Sequence, residues 1–431
     1  MNFRIKKIII SCLFLFPLYG NGQELTLEEC QKLALENYPL IAKYDLINQT
    51  VDFSLSKIMT GYLPQIGLLA QVTYQSDVAA LPDPLVKMLK MQGLEYLGMD
   101  KTQYRVALNV EQVLWDGNNI HSQKNVAKAQ GEFQKAQTDV DLYKLKDRVN
   151  NLFFGILLLE EKIALLDDVQ TLLQSNCDKV EKLAKGGVTP KSNLHKLQAE
   201  MLAVQQQADQ LATNKRTCQA VLATMVGKKP EDLENLVKPD AISVTPDESN
   251  QPEIKMFNAQ LRVFDCQAKL VNTSVYPRLS LFATGFYGYP GYDMFNSMFD
   301  HDAVLNGIVG VKLMWNISNF YTLRNNKSNI NIGRKMVENG RETFLFNNGL
   351  QQTQQYQQIL QYQSMLEKDE EIIALRKSIR QSTENQLEGG IIDVNTLLQE
   401  ITKENQARND KSSHEIEMLK KMYELQNTTN K

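Results

Sequence analysis

Two long helix-forming stretches of this chain are each broken once, in the same manner. The first break is "KLAKGGVTPKSNL", residues 182–194, and the second is "QLEGGIIDVNTL", residues 386–397. They hold the only two Gly-Gly pairs in the sequence, with Gly390 203 positions after Gly187. At the first break glycine suits a left-handed helix C-cap, with Thr189 and Pro190 as N-cap and first residue of the next helix. At the second, Glu388-Gly389-Gly390 ends one helix and Asp393 is the N-cap of the next. Each break thus reads as the tip of a helical hairpin. Upstream of the first, Leu145, Val149, Leu152, Ile156, Leu159, Ile163 and Leu166 recur three and four apart, a heptad seam. No proline interrupts residues 85–189 or the chain after residue 290. A helix over residues 118–185 would be on the order of 100 Å long, at 1.5 Å per residue.

The paired tips belong to a wider duplication. Asn37-Tyr38-Pro39 matches Asn250-Gln251-Pro252, and "YLPQIGLLAQVTY" from Tyr62 matches "VYPRLSLFATGFY" from Val275, both at a shift of 213. "ALNVEQVLWDGNN" from Ala107 matches "GIVGVKLMWNISN" from Gly307 at a shift of 200, bringing the only two tryptophans, Trp115 and Trp315, together. A two-fold internal repeat accounts for this economically. The change of shift locates about 13 extra residues in the first copy between Tyr74 and Tyr104, around Pro82, Pro84, Gly93 and Gly98.

Both copies have the same order of parts. In "LTLEECQKLALENYP", Thr26 and Glu29 form a capping box, and the helix is expected to continue through Pro39 to Tyr62. Ile66, Leu68, Ala70, Val72 and Tyr74 then alternate with Gly67, Leu69, Gln71, Thr73 and Gln75, the period of a strand. Val106, Leu108 and Val110 alternate with Arg105, Asn109 and Glu111 in a second strand with a polar face. Strands are expected at about 64–76, 103–115, 277–289 and 304–315. The last alternates poorly and is read from the repeat. The resulting segments are a signal peptide over 1–22, a first repeat over 23–226, a linker over 227–249 and a second repeat over 250–431.

Composition restricts partners more than it names them. The chain has 431 residues, 23% of them charged, and a net charge of -3, which excludes a strongly basic nucleic-acid binder and leaves little long-range steering. Arg4, Lys6 and Lys7, the apolar run 8–16 and small Gly20 and Gly22 before Gln23 read as a secretory signal peptide. The run is too short for a membrane anchor, and a lipid-modified Cys12 is disfavoured because the apolar segment continues past it. Cys30, Cys177, Cys218 and Cys266 are scattered and read as small packed residues rather than a disulfide framework. His121, His195, His301 and His414 stand in no metal spacing, and "FDHD" (299–302) reads as a polar loop. No nucleophile elbow or phosphate loop appears, so neither enzyme activity nor a cofactor is expected. The glutamine-rich run 351–363 reads as the polar wall of a long helix.

Helix, strand, loop, strand, very long helix, Gly turn and returning helix, twice over behind a signal peptide, resembles the TolC-type outer-membrane efflux family. The residues that carry the resemblance are "LTLEECQKLALENYP", "YLPQI" with "VYPRL", "VLWDG" with "LMWNI", and the two Gly-Gly tips, so it spans the mature chain. It implies an α+β membrane protein: a homotrimer whose four strands per chain make a 12-stranded β-barrel in the outer membrane of a Gram-negative bacterium. An α-helical coiled-coil tunnel would continue it through the periplasm. It implies an exit duct joined by a periplasmic adaptor to an inner-membrane RND or ABC transporter, for efflux or type I secretion. Gly186, Gly187, Val188, Gly389, Gly390 and Ile391 would then meet the adaptor. Aspartates that line the constriction in this family fall here on Asn193, and on Thr396 and Gln399 with Lys196 aligned to the last. No acidic ring stands there, which puts a cation-binding gate in doubt.

Two further expectations concern faces and charges. Ile66, Leu68, Val72, Leu279 and Leu281 are expected to face lipid, Gln71 and Thr284 the lumen. Residues 180–198 carry Lys182, Lys185, Lys191 and Lys196 against Glu181, a charge of +3, while residues 383–401 carry Glu384, Glu388, Asp393 and Glu400, a charge of -4. In a trimer the tips would alternate in sign and hold the closed end shut, pairing Lys185 and Lys191 with Glu388 and Asp393. The competing class is a periplasmic coiled-coil scaffold or adaptor without a pore. It explains the heptads and tips but not the two strand pairs.

Overall fold

The computed structural model describes residues 25–247 and 250–430; the expected signal peptide lies outside them. In chain order the elements are α1 (Leu27–Asn37), α2 (Ala42–Met59), β1 (Gln65–Tyr74), α3 (Asp83–Met91), β2 (Thr102–Trp115), α4 (Asn119–Lys185) and α5 (Lys191–Val226). Then follow α6 (Pro252–Thr273), β3 (Arg278–Tyr289), β4 (Val304–Met314), α7 (Asn319–Glu388) and α8 (Val394–Thr429). Helix, strand, strand, long helix, returning helix therefore occurs twice, and α4 and α7 are unbroken over 67 and 70 residues. The extra residues of the first copy form the β1–β2 connection and carry α3.

The chain divides into two compact units, one of residues 39–143 with 250–350 and the other of 25–38, 144–247 and 351–430. In the first, β1-β2-β3-β4 form one antiparallel sheet in chain order. Close helix packing brackets it. Gly131 of α4 faces Val51 of α2, where an added Cβ would lie 2.4 Å from Val51 Cγ2. Gly333 of α7 faces Phe264 of α6, with 2.6 Å to Phe264 Cε1. Both contacts require a residue without a side chain. Asn119 Nδ2 donates to Thr273 Oγ1 at 2.8 Å, and Asn319 Nδ2 to the neighbouring Ser274 O at 2.6 Å. Asp116, 4% exposed, accepts the Ile120 N–H at 2.6 Å and starts α4.

In the second unit one apolar cluster joins Leu27, Cys30 and Ala34 of α1 to Leu145–Leu157 of α4, Leu222 of α5, Leu233, and Ile416–Leu425 of α8. Leu25 pairs with Leu236 as an isolated parallel bridge, and Gln219 Nε2 reaches Leu233 O at 3.0 Å. The segment after α5 is thereby tied to the start of the chain. The heptad seam is wider than expected here: Phe153, Phe154 and Leu157 are buried as well as Ile156, while Leu159 and Ile163 are only half-buried. A single stripe suffices against one partner helix, but this part of α4 is covered on several sides. A second cluster, Leu166, Leu173, Val180, Leu197, Leu387, Val394, Leu397 and Ile401, fills the hairpins near their tips.

Three local expectations are corrected. The first helix does not continue through Pro39: Tyr38 is extended (ψ 127), ends α1, and a short 3₁₀ turn leads into α2. The proline ring disfavours helical backbone in the residue before it. Pro190 is the N-cap of α5 rather than its first residue, since its ψ of 145 is extended, and Thr189 Oγ1 accepts the side-chain amide of Asn193 at 2.9 Å. The glutamine run lies on α7 but is not all outward: Gln352 and Gln355 are 4% and 6% exposed, and Gln352 Oε1 accepts the Asp247 N–H.

Candidate functional site

The register gives the sheet two chemically different faces. Leu68 stands opposite Leu108, Val106 opposite Tyr287, Ala283 opposite Val309, and Leu281 opposite Val311. Ile66, Leu68, Val72, Leu279, Leu281, Leu305, Val309, Val311 and Leu313 thus share one face. Ile66, Leu68, Val72 and Val309 are 70–74% exposed, and Leu305 reaches 81%. Burying so large an apolar surface is strongly favourable, and leaving it in water is not. The opposite face carries Gln71, Arg105, Asn109, Glu111, Thr284 and Lys312. Lys312 Nζ bonds Glu111 Oε2 at 3.1 Å and Thr284 Oγ1 donates to Asn109 Oδ1 at 2.8 Å. Gln71, with its amide oxygen turned toward Arg105, accepts from Nε and Nη2, both at 3.2 Å. Among the described residues β1 and β4 each pair on one side only, which leaves two open edges.

The two tips close with the same hydrogen bonds. Val188 N donates to Leu183 O at 2.9 Å and Gly187 N to Ala184 O at 3.2 Å; Ile391 N donates to Gln386 O at 2.9 Å and Gly390 N to Leu387 O at 3.0 Å. This is the Schellman arrangement. It sets Gly187 and Gly390 at φ +77 and +71, which side chains resist, while Gly186 and Gly389 stay in ordinary backbone. Val188 and Ile391 project at 66% and 76% exposure. Asp393 caps α8 by accepting the Thr396 N–H at 3.0 Å. That bond, helped by the field of Lys196, holds its carboxyl below the usual range. Of the four constriction positions, Asn193 is half-buried and Lys196, Thr396 and Gln399 are exposed.

The charges at the tips are engaged differently from the expected pairs. Lys185 bonds Glu181 of its own helix at 2.8 Å, and Glu388 is met by Lys179 at 2.7 Å. Lys179 lies one residue before the basic stretch 180–198, on the α4 turn that faces α7. Two more bonds join the hairpins: Asn176 Nδ2 to Glu384 Oε1 at 3.2 Å, and Arg408 Nη1 to Asp168 Oδ2 at 3.3 Å. Behind them Arg380, 8% exposed, holds Glu404 at 2.5 Å and Glu384 at 2.8 Å. Burial opposes the Arg380 charge, but the bond to Glu404 and the fields of Glu384 and Glu404 outweigh it and raise the guanidinium above its usual range. Sequence reasoning missed this network, because no periodicity announces which charges of separate helices will meet.

No family model matches the chain, and no curated protein matches it. Solved structures do. The outer-membrane channel OprN aligns over 94% of this chain and 89% of its own, at TM-score 0.66 and 13% identity. The outer membrane protein VceC of Vibrio cholerae covers 94% of this chain and 95% of its own, at TM-score 0.66 and 12% identity. The CmeC outer membrane channel of Campylobacter jejuni covers 100% and 94%, at TM-score 0.63 and 11% identity. The chain has the fold of these outer-membrane channels.

Proposed function

We propose that this chain is the outer-membrane exit duct of a tripartite efflux or type I secretion system. The observation that carries the reading is the sheet: one face apolar and exposed, the other polar, both edges open. Open strand edges are not tolerated in lipid, and four strands are too few to close alone. Three chains, β4 of one beside β1 of the next, would close a 12-stranded barrel with its apolar face in lipid and its polar face around water. A periplasmic scaffold gives that apolar face no role. The paired close contacts, Gly131 with Val51 and Gly333 with Phe264, support a duplicated unit: Val51 and Phe264 are 213 apart, the shift of the two prolines, and the glycines 202 apart, between the shifts of the tryptophans and the tips.

In this reading the long helices form the periplasmic tunnel. The surface of Gly186, Gly187, Val188, Gly389, Gly390 and Ile391 receives the adaptor, and an RND or ABC transporter delivers cargo through it. Asn193, Lys196, Thr396 and Gln399 line the narrow end, and Lys179–Glu388, Asn176–Glu384 and Arg408–Asp168 hold it closed, with Lys185, Lys191 and Asp393 at the rim between chains. Cell fractionation tests the proposal. The duct should sediment with the outer membrane and require detergent for release; recovery in the soluble periplasmic fraction would refute it.

A further inference from the structure

The polar face of the sheet is not open along its whole length. Residues 290–303, which join β3 to β4, turn back over it. Tyr292 N donates to Asn306 Oδ1 at 3.1 Å, and its ring meets Phe286 edge-on at 5.0 Å. Asn306 and Phe286 both belong to the polar-face set, and Phe286 is left only 5% exposed. Beneath the loop is a pocket of about 480 Å³ walled by Gln71 and Thr73 of β1, Arg105 of β2, Phe286 of β3, and Tyr292 and Met294 of the loop. The loop thus overhangs three strands, at the strand ends away from those that join α6 and α7.

It is held there firmly. A Cβ on Gly291 would lie 2.5 Å from Val304 Cγ2 and 3.0 Å from Asn306 Nδ2, so glycine lets the chain lie this close. Tyr289 OH donates to Ser297 O at 2.9 Å and accepts from Asp100 N at 3.0 Å. Leu97 N donates to Met298 O at 3.2 Å, and His301 Nε2 and Gly98 O are 2.7 Å apart, so the loops after β1 and β3 brace each other. Among the residues the loop leaves exposed are Tyr292, Met294 and Phe295, at 53%, 56% and 60%, beside the polar Asp293, Asn296, Asp300, His301 and Asp302.

We propose that this loop is a second constriction of the duct, at its outer mouth, with Tyr292 and Met294 as its collar. The inference rests on the duct reading, because only a closed barrel turns three such loops toward one axis. Cargo would then leave along an aromatic and thioether surface above the Gln71–Arg105 pocket. Such a surface adapts to flat or flexible apolar parts and holds back bulky hydrated solutes.

The test is Met294→Cys in the detergent-purified full chain, with wild type as the control for its own thiols, of which Cys30 and Cys177 are buried. Met91→Cys on α3, where Met91 is 84% exposed, serves as a mouth position outside the collar. Native mass is measured first; a particle that is not trimeric sinks the duct reading before the collar is tested. In the trimer, a short bismaleimide should join Met294→Cys chains to one another and leave Met91→Cys chains single, and Phe295→Cys should behave as Met294→Cys. Trimers in which Met294→Cys takes a simple maleimide but does not cross-link would overturn the collar. So would equal cross-linking from Met91→Cys, or a Met294→Cys that no maleimide reaches.

Discussion

Leu68→Arg places a guanidinium on the apolar face of β1 and isolates the claim that this face meets lipid. Leu68 is 74% exposed and the fourth residue of a ten-residue strand. At about 3.4 Å per residue and a tilt of about 40°, it sits roughly a third of the way through an apolar band about 25 Å tall. Arginine on the lipid face costs about 2–4 kcal/mol at mid-membrane and less toward the borders, so about 2–3 kcal/mol per chain applies here. That is roughly a 30–140-fold loss in the insertion equilibrium of each chain, repeated in every chain of the oligomer. The matched substitution is Gln71→Glu, three residues on and on the other face. Gln71→Arg is a poor control, because the amide of Gln71 already meets Arg105 and a second guanidinium there adds repulsion. A carboxylate instead gains a pair worth about 0–1 kcal/mol. The assay is the yield of assembled oligomer in the outer membrane, on unheated gels with membrane fractionation. Leu68→Arg should lose most of it and Gln71→Glu should keep it. Normal assembly of Leu68→Arg, or its equal loss in Gln71→Glu, refutes the assignment of the faces.

Other expected outcomes concern the helices. Gly333→Ala should destabilise by about 1–3 kcal/mol through its collision with Phe264, and Phe264→Ala in the same chain should recover part of the loss; a stability unchanged by Gly333→Ala contradicts the close approach. Gly187→Leu with Gly390→Leu forces side chains into left-handed backbone at about 1–2 kcal/mol each, and should leave oligomers intact while abolishing cross-linking to the adaptor; unchanged cross-linking leaves these glycines a capping role only. Burial raises the Asp147 carboxyl pKa, partly opposed by the bond from Asn427. A raised folded-state value favours the protonated form, so the ionised group costs stability at neutral pH and nothing below the unfolded carboxylate range. Asp147→Asn should therefore raise the unfolding temperature at pH 7.5, with the gain vanishing near pH 3.5; a gain independent of pH refutes the electrostatic cause. Lys179→Glu should set two carboxylates together at Glu388 and raise the resting conductance in a planar bilayer, more so at low salt; an unchanged current assigns closure to the apolar cluster near the tips.

The strands and the long helices were legible because their signals are local. Period-two alternation puts β1 and β2 within two residues of their observed bounds, and the two Gly-Gly pairs mark both tips. β4 was readable only through its counterpart, since Val304 and Ile308 stand on its polar face and glycines on both, which blurs the alternation. The break at Tyr38 was missed because apolar periodicity continues through it, while the clash with Pro39 acts on one residue. Glycine is a poor helix residue by propensity, and nothing local says that Gly131 and Gly333 each face another helix. The ion pairs between hairpins follow from how α4 and α7 are set side by side, which no single helix encodes. The folded-over loop after β3 was likewise invisible, because its contacts with Phe286 and Asn306 belong to the assembled sheet.

The central claim is that three chains close one water-filled barrel in a membrane. The most direct measurement is the ion current of the detergent-purified chain in a planar bilayer, taken on a fraction whose native mass is determined at the same time. The account predicts a trimer that carries discrete single-channel currents. A monodisperse monomer, or a trimer that leaves the bilayer insulating, would contradict it.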